Sequence, residues 1–438
     1  MTQLVRGLNF RHALSLVVGS MIGTGVFLKA ASMSQLTGSP GMVMAAWAVA
    51  GVLSLAGAFA YAEIGSRFPK AGGEYVYLRE AYGPLMGFLF GWTRFWIGSP
   101  GSVAAYGVGT ATFLSAIIPL EDLGGKTLVA ILLILFFVTL NCLTVAFGGR
   151  VQTFLTGLKV FLILGLGSAL FLFSGGHGGF AAPEQAMTTP RQFGLALIAA
   201  LWAYDGWNNL PMASGEVMEP QKNIPRALVF GTITVFMVYA FINLSYFYAL
   251  PFSEVAHSSS ARFADALPVA TKGAQTFLGT GGTSFISWLF VLSALGAMNG
   301  SILTGARVPF AMATDKLFFP QLAKVHPITR VPVVSVVIQG IIACGLAYSG
   351  TFDQLTDWVV FTSWIFYALV TFSVFRLRRR KDVPLASYHT WGYPWLPALF
   401  CLSSVLLLAN TVLNSPKETG LGLGFVLLGI PVFYGFRR

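Results

Sequence analysis

Charge is what this sequence has least of. Only 10% of its 438 residues are Asp, Glu, Lys or Arg, against about 25% in soluble proteins. A chain so poor in charge cannot cover even one globular domain with polar surface, so an ordinary soluble enzyme is excluded. Cysteine is also scarce. Cys142, Cys344 and Cys401 fall inside apolar runs and read as buried free thiols, with no disulfide framework. The histidines His12, His177, His257, His326 and His389 are scattered without ligand spacing, so the sequence calls for neither metal nor cofactor. No complete Gly-x-x-x-x-Gly-Lys-Ser/Thr phosphate loop occurs, which argues against pumping driven by nucleotide hydrolysis. The start, Met1 to Arg11, is polar and lacks the pattern of a cleaved signal, so the first apolar segment is expected to stay.

What the chain has in excess is apolar residues, 55% of the total, for a mean hydropathy of +0.72. Hydrocarbon is therefore its solvent, and in lipid every backbone polar group must find an internal partner. The apolar runs do not alternate with period two, so they predict transmembrane helices, each needing about 20 residues. Twelve fit, over 11–36, 41–65, 84–117, 126–146, 150–173, 191–216, 226–250, 283–312, 331–349, 354–376, 393–413 and 420–436.

The net charge of +11 does not point to nucleic acid, because the basic residues sit in short connections between these runs. Nineteen Lys and Arg fall in the connections on the side of the termini and five on the other, with Lys29, Arg94 and Lys159 inside spans. That asymmetry predicts both termini in the cytoplasm. The run Arg376 to Lys381 reads as an anchor facing anionic lipid.

Two segments break the pattern. The first holds Gly19-Ser20-Met21-Ile22-Gly23-Thr24-Gly25, and the sixth holds Tyr204-Asp205-Gly206-Trp207-Asn208-Asn209 and then Pro211. Such clusters are poor helix formers. Interruptions at matching positions of two five-helix blocks of opposite orientation predict an inverted-repeat transporter with its site at the breaks. The blocks would be 1–180 and 181–380, with 381–438 supplying two further helices. A freed N-terminal half-helix at Gly23, Thr24 and Gly25 suits a carboxylate. Carbonyls near Val18 and Met21, with Trp202, Ala203 and Asp205, suit an ammonium. Glycine-rich helix packing is the competing explanation for Gly19 to Gly25 taken alone.

These residues carry a resemblance. Gly19-Ser-Met-Ile-Gly-Thr-Gly-Val-Phe27, Glu63-Ile-Gly-Ser-Arg-Phe-Pro-Lys-Ala-Gly-Gly-Glu-Tyr75 and Trp202-Ala-Tyr-Asp-Gly-Trp-Asn-Asn209, followed by Glu216 and Asn223-Ile-Pro225, resemble the amino acid–polyamine–organocation superfamily. Within it the chain is similar to bacterial members of the L-amino-acid transporter (LAT) family. The resemblance implies a five-plus-five inverted repeat, sodium-independent exchange of neutral amino acids and a place in the inner membrane. It puts the substrate carboxylate at Thr24 and Gly25, the ammonium at Met21, Trp202, Ala203 and Asp205, and the aromatic gate at Trp202. It also implies that Lys159 bridges the first helix near Gly19 to a group such as Ser293, in place of the cation used by sodium-coupled relatives. The outer connection Pro119 to Lys126 has no cysteine where animal relatives bond an ancillary glycoprotein, so no disulfide-linked subunit is expected.

Other polar residues admit two readings. Asp205 either caps the inner half of the sixth segment, or carries a proton or attracts cationic substrates. Tyr239 closes one side of the pocket or is packing. Arg94 is expected to pair with a headgroup or a Glu near the inner end of the third segment. Glu63, Arg67, Lys70, Glu74 and Arg79 form a cytoplasmic gate or are solvated surface. Ser20, Thr24 and Trp202 suggest a pocket for a small neutral residue such as alanine or serine. Proton-coupled symport and a non-transporting amino-acid sensor are the alternatives; a channel fits the broken pair less well.

Overall fold

A computed structural model describes residues 4–176, 188–260, 262–263, 265–349, 352–414 and 416–436. His177, the repeat boundary at 180–181, Arg437 and Arg438 lie outside them. The described chain is helical, and its only β pairing is an isolated bridge between Leu8 and Val217. In order, the helices are α1 (Phe10–Met21), α2 (Gly25–Thr37), α3 (Pro40–Arg67), α4 (Glu74–Tyr82), α5 (Pro84–Thr93), α6 (Ser99–Leu114), α7 (Gly125–Asn141), α8 (Val145–Phe173) and α9 (Pro190–Ala203). There follow α10 (Pro220–Ala249), α11 (Phe252–Ala256), α12 (Val269–Leu278), α13 (Gly281–Gly305), α14 (Arg307–Thr314), α15 (Val333–Ser349), α16 (Phe352–Arg378), α17 (Trp395–Asn414) and α18 (Pro416–Phe436).

Among the described residues seven helical stretches are long and apolar enough to cross a bilayer: Phe10–Thr37, Pro40–Arg67, Val145–Phe173, Pro220–Ala249, Gly281–Thr314, Trp395–Leu413 and Thr419–Phe436. Gly125–Asn141 and Val333–Ser349 are apolar but shorter. The third expected segment passes from α5 to α6 through a single π turn, Arg94–Gly98. Two expected connections carry helix instead of loop: α4 follows α3, and α11 and α12 both precede α13. The fifth segment starts earlier than expected, because the Thr144 side chain accepts from the Phe147 amide and caps α8 at Val145.

Each helix is sided by its sequence. On α8, Phe154, Phe161 and Leu172 are 67%, 70% and 74% exposed, the lipid-facing stripe of a helix whose other face is buried. That buried face presents Gln152, Thr156, Lys159, Ile163, Leu166 and Leu170, a helical i, i+4, i+7 spacing that carries polar groups inward. The centre is built by α1 packed on α8, α10 and α13, by α2 on α9, and by α3 on α10, while α16, α17 and α18 pack together at one side. The three cysteines are unpaired and half-buried instead of fully buried.

Candidate functional site

The first apolar segment stops and restarts at mid-length. Ile22 turns out of the helix at φ −75° and ψ 87°, its amide still donating to Val18 O at 3.0 Å. Gly23 donates back to Met21 O at 2.8 Å, and α2 begins at Gly25 without a side-chain cap at Thr24. The amide end of α2, with the positive end of its dipole, is thus left open. The sixth segment breaks beside it. There α9 ends at Ala203, Gly206 takes φ +114°, and the chain continues as a 3-10 helix, Trp207–Glu216, around Pro211. A tighter helix replaces the expected α-helical inner half because Pro211 removes a backbone donor inside it.

Two glycines let the breaks touch. A Cβ at Gly206 would lie 2.7 Å from Ser20 O, and one at Gly25 would lie 2.8 Å from Ala203 Cβ. Between them opens a cavity of about 100 Å³ lined by Ser20, Met21, Gly23, Thr24, Gly25, Trp202, Ala203, Asp205 and Gly206 from the two breaks. Arg94, Gly101, Ser102, Ala105 and Tyr106 from the π turn and α6, with Asn209 and Ser301, close it. The residues expected to meet an amino acid's carboxylate and ammonium therefore share one cavity, except Val18, which does not line it and whose carbonyl accepts from the Ile22 amide at 3.0 Å. Trp202 forms part of its wall, and the Lys29 ammonium stands 4.4 Å from the centre of that ring.

Lys159 is fully buried on the inward face of α8. Its Nζ donates to Gly19 O at 2.9 Å, Ile22 O at 2.7 Å and Ser293 O at 3.1 Å. Gly19 and Ile22 lie at the C-terminal end of α1, where carbonyls lack helical partners and the dipole is negative, so an ammonium suits them on both counts. The Ser293 hydroxyl lies 3.0 Å from Ile22 O and 2.9 Å from Gly23 O, which ties α13 to the same break.

Several residues stand elsewhere than expected. Tyr239 is not in the cavity wall. It lies behind it, fully buried against Trp47 and Tyr204, with its hydroxyl 2.9 Å from both Met21 O and Ala203 O. It clasps the carbonyl ends of α1 and α9, and each carbonyl keeps a second lone pair for another donor. Asp205 does not cap the inner half-helix Trp207–Glu216, whose cap residue is Gly206 and which has no side-chain cap; its Oδ1 accepts from the Tyr367 hydroxyl at 2.9 Å. Arg94 has no ion-pair partner among the described residues: its Nη2 donates to Asn209 Oδ1 at 2.6 Å beside the cavity. Its position within an apolar run was the signal that marks an intramembrane charge as functional. Asn209 ends the motif that marked the second break, whereas nothing in the sequence singles out Ser102 or Tyr106.

The expected gate loop divides. Glu74 is fully buried, accepting from Tyr61 at 2.7 Å and Asn208 at 3.2 Å, and so belongs to the interior under the cavity. Glu63 accepts from Arg67 at 3.0 Å, from Arg378 at 2.9 and 2.6 Å and from Thr390 at 2.8 and 2.7 Å. Arg79 pairs with Asp315 and Glu80, while Lys70 stays exposed. A further pair that sequence did not disclose, Glu216 with Arg307, is bidentate at 2.6 and 3.0 Å and almost wholly buried. Among the described residues no group of three His, Cys, Asp or Glu side chains is placed to hold a metal ion.

Comparison with known proteins agrees with this architecture. The amino acid permease family matches residues 8–432. The chain is 34% identical to the serine/threonine exchanger SteT of Bacillus subtilis (strain 168), over 97% of this chain and 95% of that protein. It is 30% identical to the human cystine/glutamate transporter, over 99% of this chain and 86% of the relative, and 29% identical to the mouse b(0,+)-type amino acid transporter 1, over 99% and 88%. With the family matching nearly its whole length and LAT-type transporters among its relatives, the chain belongs to the amino acid permeases of the amino acid–polyamine–organocation superfamily, as a bacterial member of the LAT family.

Proposed function

We propose that this protein exchanges small neutral L-amino acids across the bacterial inner membrane by alternating access, without sodium. The observation that carries the reading is the meeting of two helix breaks around one cavity, which leaves the positive end of α2 and the carbonyl ends of α1 and α9 beside the same space. A zwitterion completes both: its carboxylate meets the amides at Thr24 and Gly25, and its ammonium the carbonyls of Met21, Trp202 and Ala203 with Asp205. Lys159 takes the place of a coupling cation and links the filling of the break to movement of α1 against α8 and α13. Trp202 serves as the outer gate, and Tyr239 holds the two carbonyl ends in register. The kinship with SteT, a serine/threonine exchanger, supports exchange and a small substrate.

The same reading has twelve crossings, arranged as two inverted five-helix blocks over 1–180 and 181–380 with two further helices in 381–438, and both termini in the cytoplasm. The nine apolar stretches and the interrupted first and sixth segments support that count.

Proteoliposomes loaded with unlabelled serine or alanine test the function. External labelled alanine is expected to enter only when the lumen holds an exchangeable amino acid, at the same rate in sodium and in choline. Uptake into empty vesicles driven by an imposed proton gradient would convert the reading to symport. Binding without any counterflow would make the protein a sensor.

A further inference from the structure

We propose that Arg94 reads the substrate's side chain, donating to an uncharged oxygen there (a hydroxyl or a carboxamide), and so selects such amino acids over aliphatic ones of the same shape. This deepens the exchanger reading and rests on it. The two breaks hold the α-carboxylate and α-ammonium, which every amino acid carries alike. Side-chain selection must therefore come from the rest of the lining, to which Arg94, Ser102, Ala105 and Tyr106 belong.

Arg94 is 9% exposed and lines the cavity. A guanidinium has five N–H donors. Among the described residues Asn209 Oδ1 takes one at 2.6 Å, and Nε, fully shielded, has no partner. Glu74 and Asp205 are both within electrostatic reach of it. Neither makes an ion pair with it: Glu74 accepts from Tyr61 and Asn208, and Asp205 from Tyr367. The group is thus short of acceptors, and a buried donor left unmet is costly. A side-chain hydroxyl or amide oxygen supplies the acceptor. A carboxylate would bring a third acidic group to one cation, crowded against Glu74 and Asp205, so acidic side chains are disfavoured.

The backbone is shaped for this placement. Arg94 opens the π turn Arg94–Gly98, a helix irregularity common at functional sites. The side chain then runs back over Gly98, where an added Cβ would lie 2.9 Å from Arg94 Cδ.

Threonine and valine, equal in shape and different in one hydroxyl, are the probes. In wild-type proteoliposomes threonine is expected to compete with labelled alanine at least about tenfold better than valine, equivalent to about 1.4 kcal/mol. Arg94→Met, which keeps the apolar stem, should bring that ratio to within about twofold of unity. Gly98→Ala, which keeps the arginine but displaces it, should lower the ratio in the same direction and serves if Arg94→Met does not fold. A wild-type ratio near one, or a ratio untouched by both variants, overturns the proposal. Aspartate competing better than threonine or asparagine overturns the choice of an uncharged oxygen. If the wild type exchanges nothing, the exchanger reading fails by itself; thermal stabilisation by threonine against valine then measures the same ratio without transport.

Discussion

Replacing Lys159 by alanine removes one ammonium from three carbonyl oxygens at once. Gly19 O and Ser293 O lose their side-chain donor outright, while Ile22 O keeps the Ser293 hydroxyl at 3.0 Å. A hydrogen bond from a charged group contributes about 1.5–3 kcal/mol, and a buried acceptor left bare costs about 1–3 kcal/mol. Water entering the space left by the side chain recovers part of this, so a net loss of about 2 kcal/mol is a fair expectation for the arrangement in which α1, α8 and α13 meet. If that arrangement is one end of the transport cycle, 2 kcal/mol shifts its population roughly 30-fold. Exchange by Lys159→Ala, normalised to protein in the vesicles, should fall by a factor of that order, while membrane insertion and gel-filtration behaviour stay near wild type. Lys159→Arg, with more donors but a planar head, should recover only part of the rate. Exchange by Lys159→Ala within twofold of wild type would refute the coupling role and reduce Lys159 to a static charge on a helix end.

Tyr239→Phe removes the proton that joins α1 to α9 through Met21 O and Ala203 O. With a neutral hydrogen bond worth about 1 kcal/mol, apparent affinity for alanine in the counterflow assay should weaken roughly fivefold and maximal rate should change less. Gly206→Ala faces both a positive φ of +114° and a Cβ 2.7 Å from Ser20 O. It should abolish exchange and lower the melting temperature of the purified protein, and wild-type values of both would show that the two breaks do not depend on this contact.

How much of this was legible beforehand depended on whether a residue's sequence neighbourhood named its surroundings. The breaks stood out because Gly19 to Gly25 and Tyr204 to Asn209 interrupt apolar runs, where only a special backbone accounts for them. Lys159 stood out for the same reason: a single charge in hydrocarbon has few affordable neighbours. Glu74 did not, because its polar loop neighbours say nothing of Tyr61 and Asn208, which reach it from 13 and 134 residues away. Arg94 obeyed the same rule as Lys159, but its sequence neighbourhood offered a headgroup or a Glu as readily as a substrate. The π turn beginning at Arg94 re-aims it inward, and no residue pattern announces that turn. Tyr239 was legible as a membrane tyrosine but not as a clasp, since its partners are two carbonyls that exist as free acceptors only once both helices have broken.

The ion pairs near the ends of the helices can be ranked by what it costs to part them, and the ranking says which surfaces move. Glu216 and Arg307 are 0% and 1% exposed, and separating a pair so buried strands a charge at about 3–5 kcal/mol. That is too much to lose on every turnover, so the 3-10 helix and α14 should travel together. Arg79 and Asp315 are 20% and 30% exposed, where an ion pair is worth only about 0–1 kcal/mol. The Tyr75 hydroxyl adds one hydrogen bond to Asp315 at 2.7 Å. The seam between α4 and α14 is therefore the cheaper one to open. In a background with Cys142, Cys344 and Cys401 replaced by serine, cysteines at positions 79 and 315 joined by a short bifunctional maleimide should stop exchange. The same reagent on either single-cysteine protein should leave it running. Full-speed exchange by the cross-linked protein would mean that this seam stays shut throughout the cycle, and that the opening lies along the Glu63–Arg378 contact between α3 and α16 instead.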